Sequence, residues 1–142
     1  DKYAVRMGGG HNHRLNLADG ILIKDNHIQA LRSRRLGLKE IIQLALSAAS
    51  HTIKVEVEVE TLGEVREAVE AGAHIIMLDN MPVAVMKEAV DIIGGRALVE
   101  ASGGITMETV RAVAETGVDL ISIGGLTHSP QALDISLDLE FS

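Results

Sequence analysis

The segment Ile53-Lys54-Val55-Glu56-Val57-Glu58-Val59-Glu60-Thr61-Leu62-Gly63-Glu64 decides how this chain folds. Residues 53–59 alternate apolar and charged side chains, the period of two that a strand imposes. Thr61 and Glu64 then make a capping box, with Thr as N-cap and Glu three residues on, and the helix it opens is closed by Gly72. A short apolar run, 73–78, follows at once as a second strand. Strand, helix and strand in such quick succession form a crossover unit, which sets the two strands parallel.

The same rhythm extends in both directions. Downstream, Pro82 opens a helix ending at Gly94-Gly95, residues 97–100 form a strand, Thr106 caps a helix ending at Gly117, and residues 118–123 form another strand. Ser129-Pro130 predicts a last helix, with Ser as N-cap and Pro at its first position. Upstream, residues 38–49 carry apolar side chains on one helical face, 20–23 read as a strand, and Lys2 to Met7 as a helix stopped by Gly8. Two stretches repeat 45 residues apart: Val65-Arg66 matches Val110-Arg111, Glu70 matches Glu115, Gly72 matches Gly117, and Ile75-Ile76 matches Leu120-Ile121. About five short strands alternating with amphipathic helices imply an α/β fold with a parallel sheet. A closed eight-stranded barrel needs roughly 250 residues. With 142 residues, the chain is either a barrel without its first units or an open, doubly wound sheet.

Composition narrows the function. A net charge of −7 leaves no basic face for a phosphate backbone, and one Tyr and one Phe leave no base-stacking platform. Nucleic acid is therefore excluded as a partner. No apolar run is long enough to span a membrane and no signal peptide is present, so the expected setting is cytoplasmic. The absence of cysteine removes disulfides and thiolate chemistry. The chain is read as one domain, residues 1–142, and its abrupt start within a helix suggests a fragment.

Ligands of parallel α/β folds bind at the carboxyl ends of the strands. Those ends read Lys24-Asp25-Asn26-His27, Glu58, Asp79-Asn80, Ser102-Gly103-Gly104, and Gly124-Gly125 with His128 beyond. Ahead of them stands Gly8-Gly9-Gly10-His11-Asn12-His13-Arg14, a glycine run leading into cationic side chains in an acidic protein. Together these residues suit a small, multiply negative ligand. Glu58 and Asp79 suit a cationic transition state or Mg²⁺, and Ser102-Gly103-Gly104, with the second glycine turn at Gly124, offers bare N–H groups at a helix start to phosphate. Glu56 and Glu60 are expected to pair with basic groups inside the barrel or to meet solvent. His11, His13 and His27 suggest metal ligands as a rival reading, which Arg14 and Lys24 oppose by repelling a cation. His51 and His74 read as structural.

The run Gly8-Gly9-Gly10-x-Asn12-His13-Arg14-x-x-Leu17-x-Asp19-x-x-Leu22-Ile23-Lys24-Asp25-Asn26-His27 closely resembles quinolinate phosphoribosyltransferases. Val55-Glu56-Val57-Glu58, Met77-Leu78-Asp79-Asn80, Glu100-Ala101-Ser102-Gly103-Gly104-Ile105-Thr106, Ile123-Gly124-Gly125-Leu126-Thr127-His128 and the tail from Ala132 to Leu137 agree in order. The resemblance implies an incomplete, open α/β barrel of parallel strands with outer helices. It also implies phosphoribosyl transfer from PRPP, carried with Mg²⁺, to quinolinate, with loss of CO₂. His13, Arg14 and Lys24 would then hold the quinolinate carboxylates. Glu58 and Asp79 would serve the ribose and Mg²⁺ side, with Lys24, Glu58 and Asp79 the catalytic set. Ser102, Gly103, Gly104, Gly124 and His128 would cradle phosphate. The resemblance further implies a homodimer or larger homo-oligomer whose N-terminal domain covers a partner's barrel; that domain and the first barrel segment are expected to be missing, leaving this chain weakly active or inactive. Alternatives are a paralogue linked to molybdate transport, a non-catalytic barrel module, and a phosphate-binding isomerase of another barrel family.

Overall fold

The computed structural model of the chain describes residues 1–14, 16–32, 35–130 and 132–140. Five parallel strands form one open sheet in the order β1-β2-β3-β4-β5: Ile21–Ile23, Val55–Val59, Ile75–Asp79, Leu98–Ser102 and Leu120–Ile121. The helices are α1 (Lys2–Met7), α2 (Asp25–Arg32), α3 (Leu38–Ala48), α4 (Leu62–Ala71), α5 (Val83–Ile93), α6 (Val110–Ala114) and α7 (Gly125–His128). Strand order follows chain order without reversal. Crossovers of one hand then stack the helices on a single face, and α2 to α6 do pack each against the next. A doubly wound sheet would reverse direction at its middle. The fold is the open, barrel-like alternative.

Packing follows from the alternation in β2. Val55, Val57 and Val59 are at most 1 % exposed and face the helical layer, where Val65, Ala68, Ile42 and Met86 are buried with them. Each such side chain contributes roughly 1.5–3 kcal/mol by leaving water. The opposite register, Glu56 and Glu58, is thereby committed to the face away from the α2 to α6 layer. The predicted capping box forms: Thr61 Oγ1 accepts from the Glu64 amide, and Glu64 Oε2 accepts from the Glu60 amide. Gly72 and Gly117 both take the left-handed conformation, φ +84° and +92°, at matching places in the repeat. His74 and Asp119, also 45 residues apart, repeat a further device. His74 Nδ1 accepts the Val55 amide at 3.0 Å and Asp119 Oδ2 accepts the Val99 amide at 2.8 Å, each side chain closing the start of the preceding strand. His74 is structural, as its position at a strand start suggested.

Three elements differ from the sequence reading. The helix predicted from Thr106 begins only at Val110, because the Thr106 amide is held by Thr109 Oγ1 and its hydroxyl by Glu108, which shapes residues 106–109 as a turn. The strand predicted over 118–123 shrinks to Leu120–Ile121, paired on one side only. The helix predicted at Ser129-Pro130 does not form across residues 132–140; Gln131 lies outside the described residues. Leu133, Ile135, Leu137 and Leu139 alternate with polar residues, a strand period rather than a helical one, and are 70–84 % exposed with no described element against them. No helix of the described residues is long and apolar enough to cross a membrane.

Candidate functional site

The face of the sheet opposite the α2 to α6 layer carries two cavities, of about 600 and 720 Å³. The first lies at the carboxyl ends of the strands, and Lys24, Glu58, Asp79, Ser102, Gly124 and His128 line it together. Six residues from five strand ends are thus gathered in one place. The second extends toward the amino ends, beside Lys54, Ile75 and Asp119, and it is here that Arg14 is found. His13 and Glu100 border both. Arg14 and Lys24, expected to act together on one ligand, therefore face different cavities. Gly103 and Gly104 line neither.

Lys24 follows β1 directly, and its Nζ lies 3.7 Å from Glu58 Oε2 on the neighbouring β2. The largely buried Glu58 carboxyl is held above the ordinary carboxylate range by desolvation; Lys24 pulls it down, while Asp79 and Asp25 push it up. Asp79 ends β3, and its Oδ2 accepts from Asn80 Nδ2 at 2.9 Å. Lys24, Glu58 and Asp79 therefore line one cavity, with the lysine paired to Glu58 and the second carboxylate on the next strand. His27 does not belong to this set: its Nδ1 accepts the Lys24 amide at 3.0 Å and starts α2.

Asn80 has φ +51° and donates its amide to the Ser102 carbonyl. A Cβ on Gly103 would meet Asn80 Oδ1 at 2.4 Å, and Gly103 itself has φ +87°. Gly103 thus serves the close approach of two strand ends. Because α6 starts at Val110, the Ser102-Gly103-Gly104 turn does not sit at a helix start, and the expected helix-dipole contribution to anion binding there is removed. Gly124 does precede a helix, the four-residue α7, which ends at the exposed His128.

The glycine run folds back from α1 across the open face. The Gly10 amide reaches the Val5 carbonyl at 2.9 Å, and Asn12 Nδ2 reaches that of Lys2 at 3.2 Å. His13 is thereby brought to Glu56 and Glu100, with Nε2 3.4 Å from Glu56 Oε2 and 3.5 Å from Glu100 Oε1. Glu56 and Glu100 are buried at 7 % and 3 % exposure. Burial and the Glu100 charge push the Glu56 carboxyl up to about 7, against the opposing pull of His13. Glu56 was expected to pair with a basic group, and it does so with His13; Glu60 is exposed to solvent. Glu100 was not singled out from the sequence. Its one available signal was its place two residues before the Ser102-Gly103-Gly104 turn on a strand whose neighbouring positions are apolar.

Comparison with known proteins places this geometry. The family model described as "Quinolinate phosphoribosyl transferase, C-terminal domain" matches residues 1–138. A Bacillus subtilis protein named "Probable nicotinate-nucleotide pyrophosphorylase (carboxylating)" is 49 % identical over 142 residues, 100 % of this chain and 48 % of that protein. The Nicotiana tabacum protein named mitochondrial quinolinate phosphoribosyltransferase (decarboxylating) 2a is 46 % identical over 155 residues, 99 % of this chain and 44 % of that protein. The crystal structure of nicotinate-nucleotide pyrophosphorylase from Ehrlichia chaffeensis superposes with a TM-score of 0.87 at 41 % identity, covering 99 % of this chain and 49 % of the other. The chain spans about half the length of the curated relatives it matches. From its β-strand order to its glycine turns, the chain belongs to the quinolinate phosphoribosyl transferase family, matching its C-terminal domain.

Proposed function

We propose that this chain carries the catalytic barrel of a carboxylating nicotinate-nucleotide pyrophosphorylase, which transfers the phosphoribosyl group of PRPP to quinolinate and releases CO₂ and diphosphate. The observation that carries the reading is the convergence of Lys24, Glu58, Asp79, Ser102, Gly124 and His128 on one cavity at the strand ends. Quinolinate is a dianion, and Lys24 and His13, both on that cavity, supply cationic donors to its carboxylates. Arg14, from the adjoining cavity, takes the outer carboxylate as a bidentate fork.

As the bond from the ribose to diphosphate loosens, positive charge develops on the sugar. Glu58 and Asp79 are preorganised to meet that charge, and stabilising it lowers the barrier more than it stabilises the ground state. Their donor set also fits Mg²⁺ arriving with PRPP: two oxygen ligands on one cavity, whose mutual repulsion already raises the Glu58 carboxyl. The metal's chemistry, when bound, is to neutralise the leaving diphosphate. Ser102, Gly124 and His128 are the groups for the phosphates, with Gly103 and Gly104 shaping the turn behind Ser102. The open face of the sheet fits a cover supplied by an N-terminal domain from a second subunit of a homo-oligomer, and turnover is expected to depend on that cover.

The test is equilibrium binding of quinolinate to the chain, with CO₂ and diphosphate release measured in the presence of Mg²⁺ and PRPP. Saturable quinolinate binding that exceeds binding of monocarboxylate pyridines supports the reading. Failure to distinguish quinolinate from other aromatic acids would favour the paralogue linked to molybdate transport, and the absence of any anion binding would overturn both.

A further inference from the structure

Asn80 lines neither cavity, yet it touches both chemical halves of the strand-end site. Asp79 on β3 and Ser102 on β4 are direct register partners, and Asn80 is the first residue beyond that pair. Its amide donates to the Ser102 carbonyl at 3.0 Å, and its Nδ2 donates to Asp79 Oδ2 at 2.9 Å. Asn80 Oδ1 and Cγ occupy the space that a Cβ on Gly103 would need. The residue is thus held at one end by Asp79 and at the other by the Ser102-Gly103 turn. Its backbone is left-handed, φ +51°, which among the described non-glycine residues it shares only with Arg35. Glycine takes that conformation most readily, and asparagine and aspartate are the side-chain-bearing residues that tolerate it best. Glycine would leave Asp79 without its donor, and aspartate would set a like charge beside it. Of the three, asparagine alone supplies an N–H to the carboxylate.

We propose that Asn80 is a positioning residue for PRPP: its side chain orients the Asp79 carboxylate, and its backbone ties that carboxylate to the Ser102 turn. The inference rests on the reading of the site given above, in which Asp79 meets the ribosyl cation and Mg²⁺ while Ser102 meets phosphate. A neutral amide donor engages one oxygen of Asp79 without cancelling its charge, and leaves the other oxygen for the ligand. The bond from the Asn80 amide to Ser102 fixes the separation of the two subsites, which one PRPP molecule must span.

The test is calorimetric titration of PRPP with Mg²⁺, and separately of quinolinate, into the chain and its variants, with circular dichroism to verify each fold. Asn80→Gly keeps the left-handed backbone and removes the side chain; Asn80→Asp keeps the size and exchanges the donor for a like charge. Each should weaken PRPP binding by at least about tenfold, Asn80→Asp the more. Quinolinate affinity, set by His13, Arg14 and Lys24, should change by less than about twofold. In an Asp79→Asn background, Asn80→Gly should cost less than about twofold further, because the charge it orients is already gone. A general structural role would instead weaken both ligands and add in full to Asp79→Asn. Either of those results, or PRPP affinity unaltered in a folded Asn80→Gly chain, would overturn the positioning role and leave the functional reading standing. No PRPP binding by the unaltered chain would overturn that reading together with the role. If Asn80→Gly does not fold, Asn80→Asp decides the same comparisons.

Discussion

Lys24 Nζ sits 3.7 Å from Glu58 Oε2 across the carboxyl ends of neighbouring strands, joining a half-exposed cation to a carboxylate that is only 11 % exposed. The pair is asymmetric: solvent screens the lysine, whereas the glutamate has surrendered most of its hydration. Lys24→Ala is therefore expected to lower folded stability by less than about 1 kcal/mol. Quinolinate affinity should fall by about ten- to a hundredfold, the worth of one hydrogen bond to a charged group. Thermal melts and quinolinate titration on the same samples check both halves; unaltered affinity would remove Lys24 from the acceptor site.

The Glu56 carboxyl, pushed up to about 7, gives a pH dependence of defined sign. A carboxyl whose folded value lies above its unfolded one binds more protons in the native state between the two values. Stability must then fall as pH rises from about 4.5 to about 7, levelling above that. In metal-free buffer, urea unfolding should show this decline in the unaltered chain, and Glu56→Gln should flatten it. Stability that rises over this window in a Glu56-dependent way would contradict the environment described for the group.

Gly103 and Gly95 provide a matched pair. Both have left-handed backbones, φ +87° and +74°, but a Cβ on Gly103 meets Asn80 Oδ1 at 2.4 Å while one on Gly95 meets nothing within 4 Å. Gly95→Ala should cost about 1 kcal/mol in conformational strain alone. Gly103→Ala should cost several kcal/mol and displace Asn80, measurable as a much larger drop in melting temperature and as weaker phosphate binding beside Ser102.

Thr61→Ala removes the side chain that accepts the Glu64 amide. The expected loss is about 1 kcal/mol. Adding Glu64→Ala to it should cost less than the two single substitutions combined, because the capping box is reciprocal. Chemical denaturation of the two single variants and the double variant reads this directly.

Much of the fold was legible because its signals are local. The alternation of residues 53–59, the Thr61 and Glu64 box, and the glycines at 72, 94 and 117 act through periodicity, capping and backbone freedom within a few residues. Where reading failed, a local signal met a nonlocal requirement. Ser129-Pro130 can start a helix, but the residues after it alternate with a strand period and have nothing described to pack on. Thr106 can cap one, but Thr109 and Glu108 take its polar groups first.

The strand-end set is intermediate. That Lys24, Glu58, Asp79, Ser102 and Gly124 share an edge followed from parallel strands alone, since consecutive crossovers return every strand in the same direction. That Arg14 faces a different cavity from Lys24 did not, because the path of the glycine run is fixed by its contacts with α1.

By itself, then, the sequence determined the elements, their parallel order and the edge at which chemistry gathers, because period, capping and crossover handedness are properties of the chain. Only the tertiary structure decided the meeting of His13, Glu56 and Glu100. These residues are far apart in sequence, and burying them together is a property of the sheet's open face, where a backbone reversal at the glycines lays one segment over two strands.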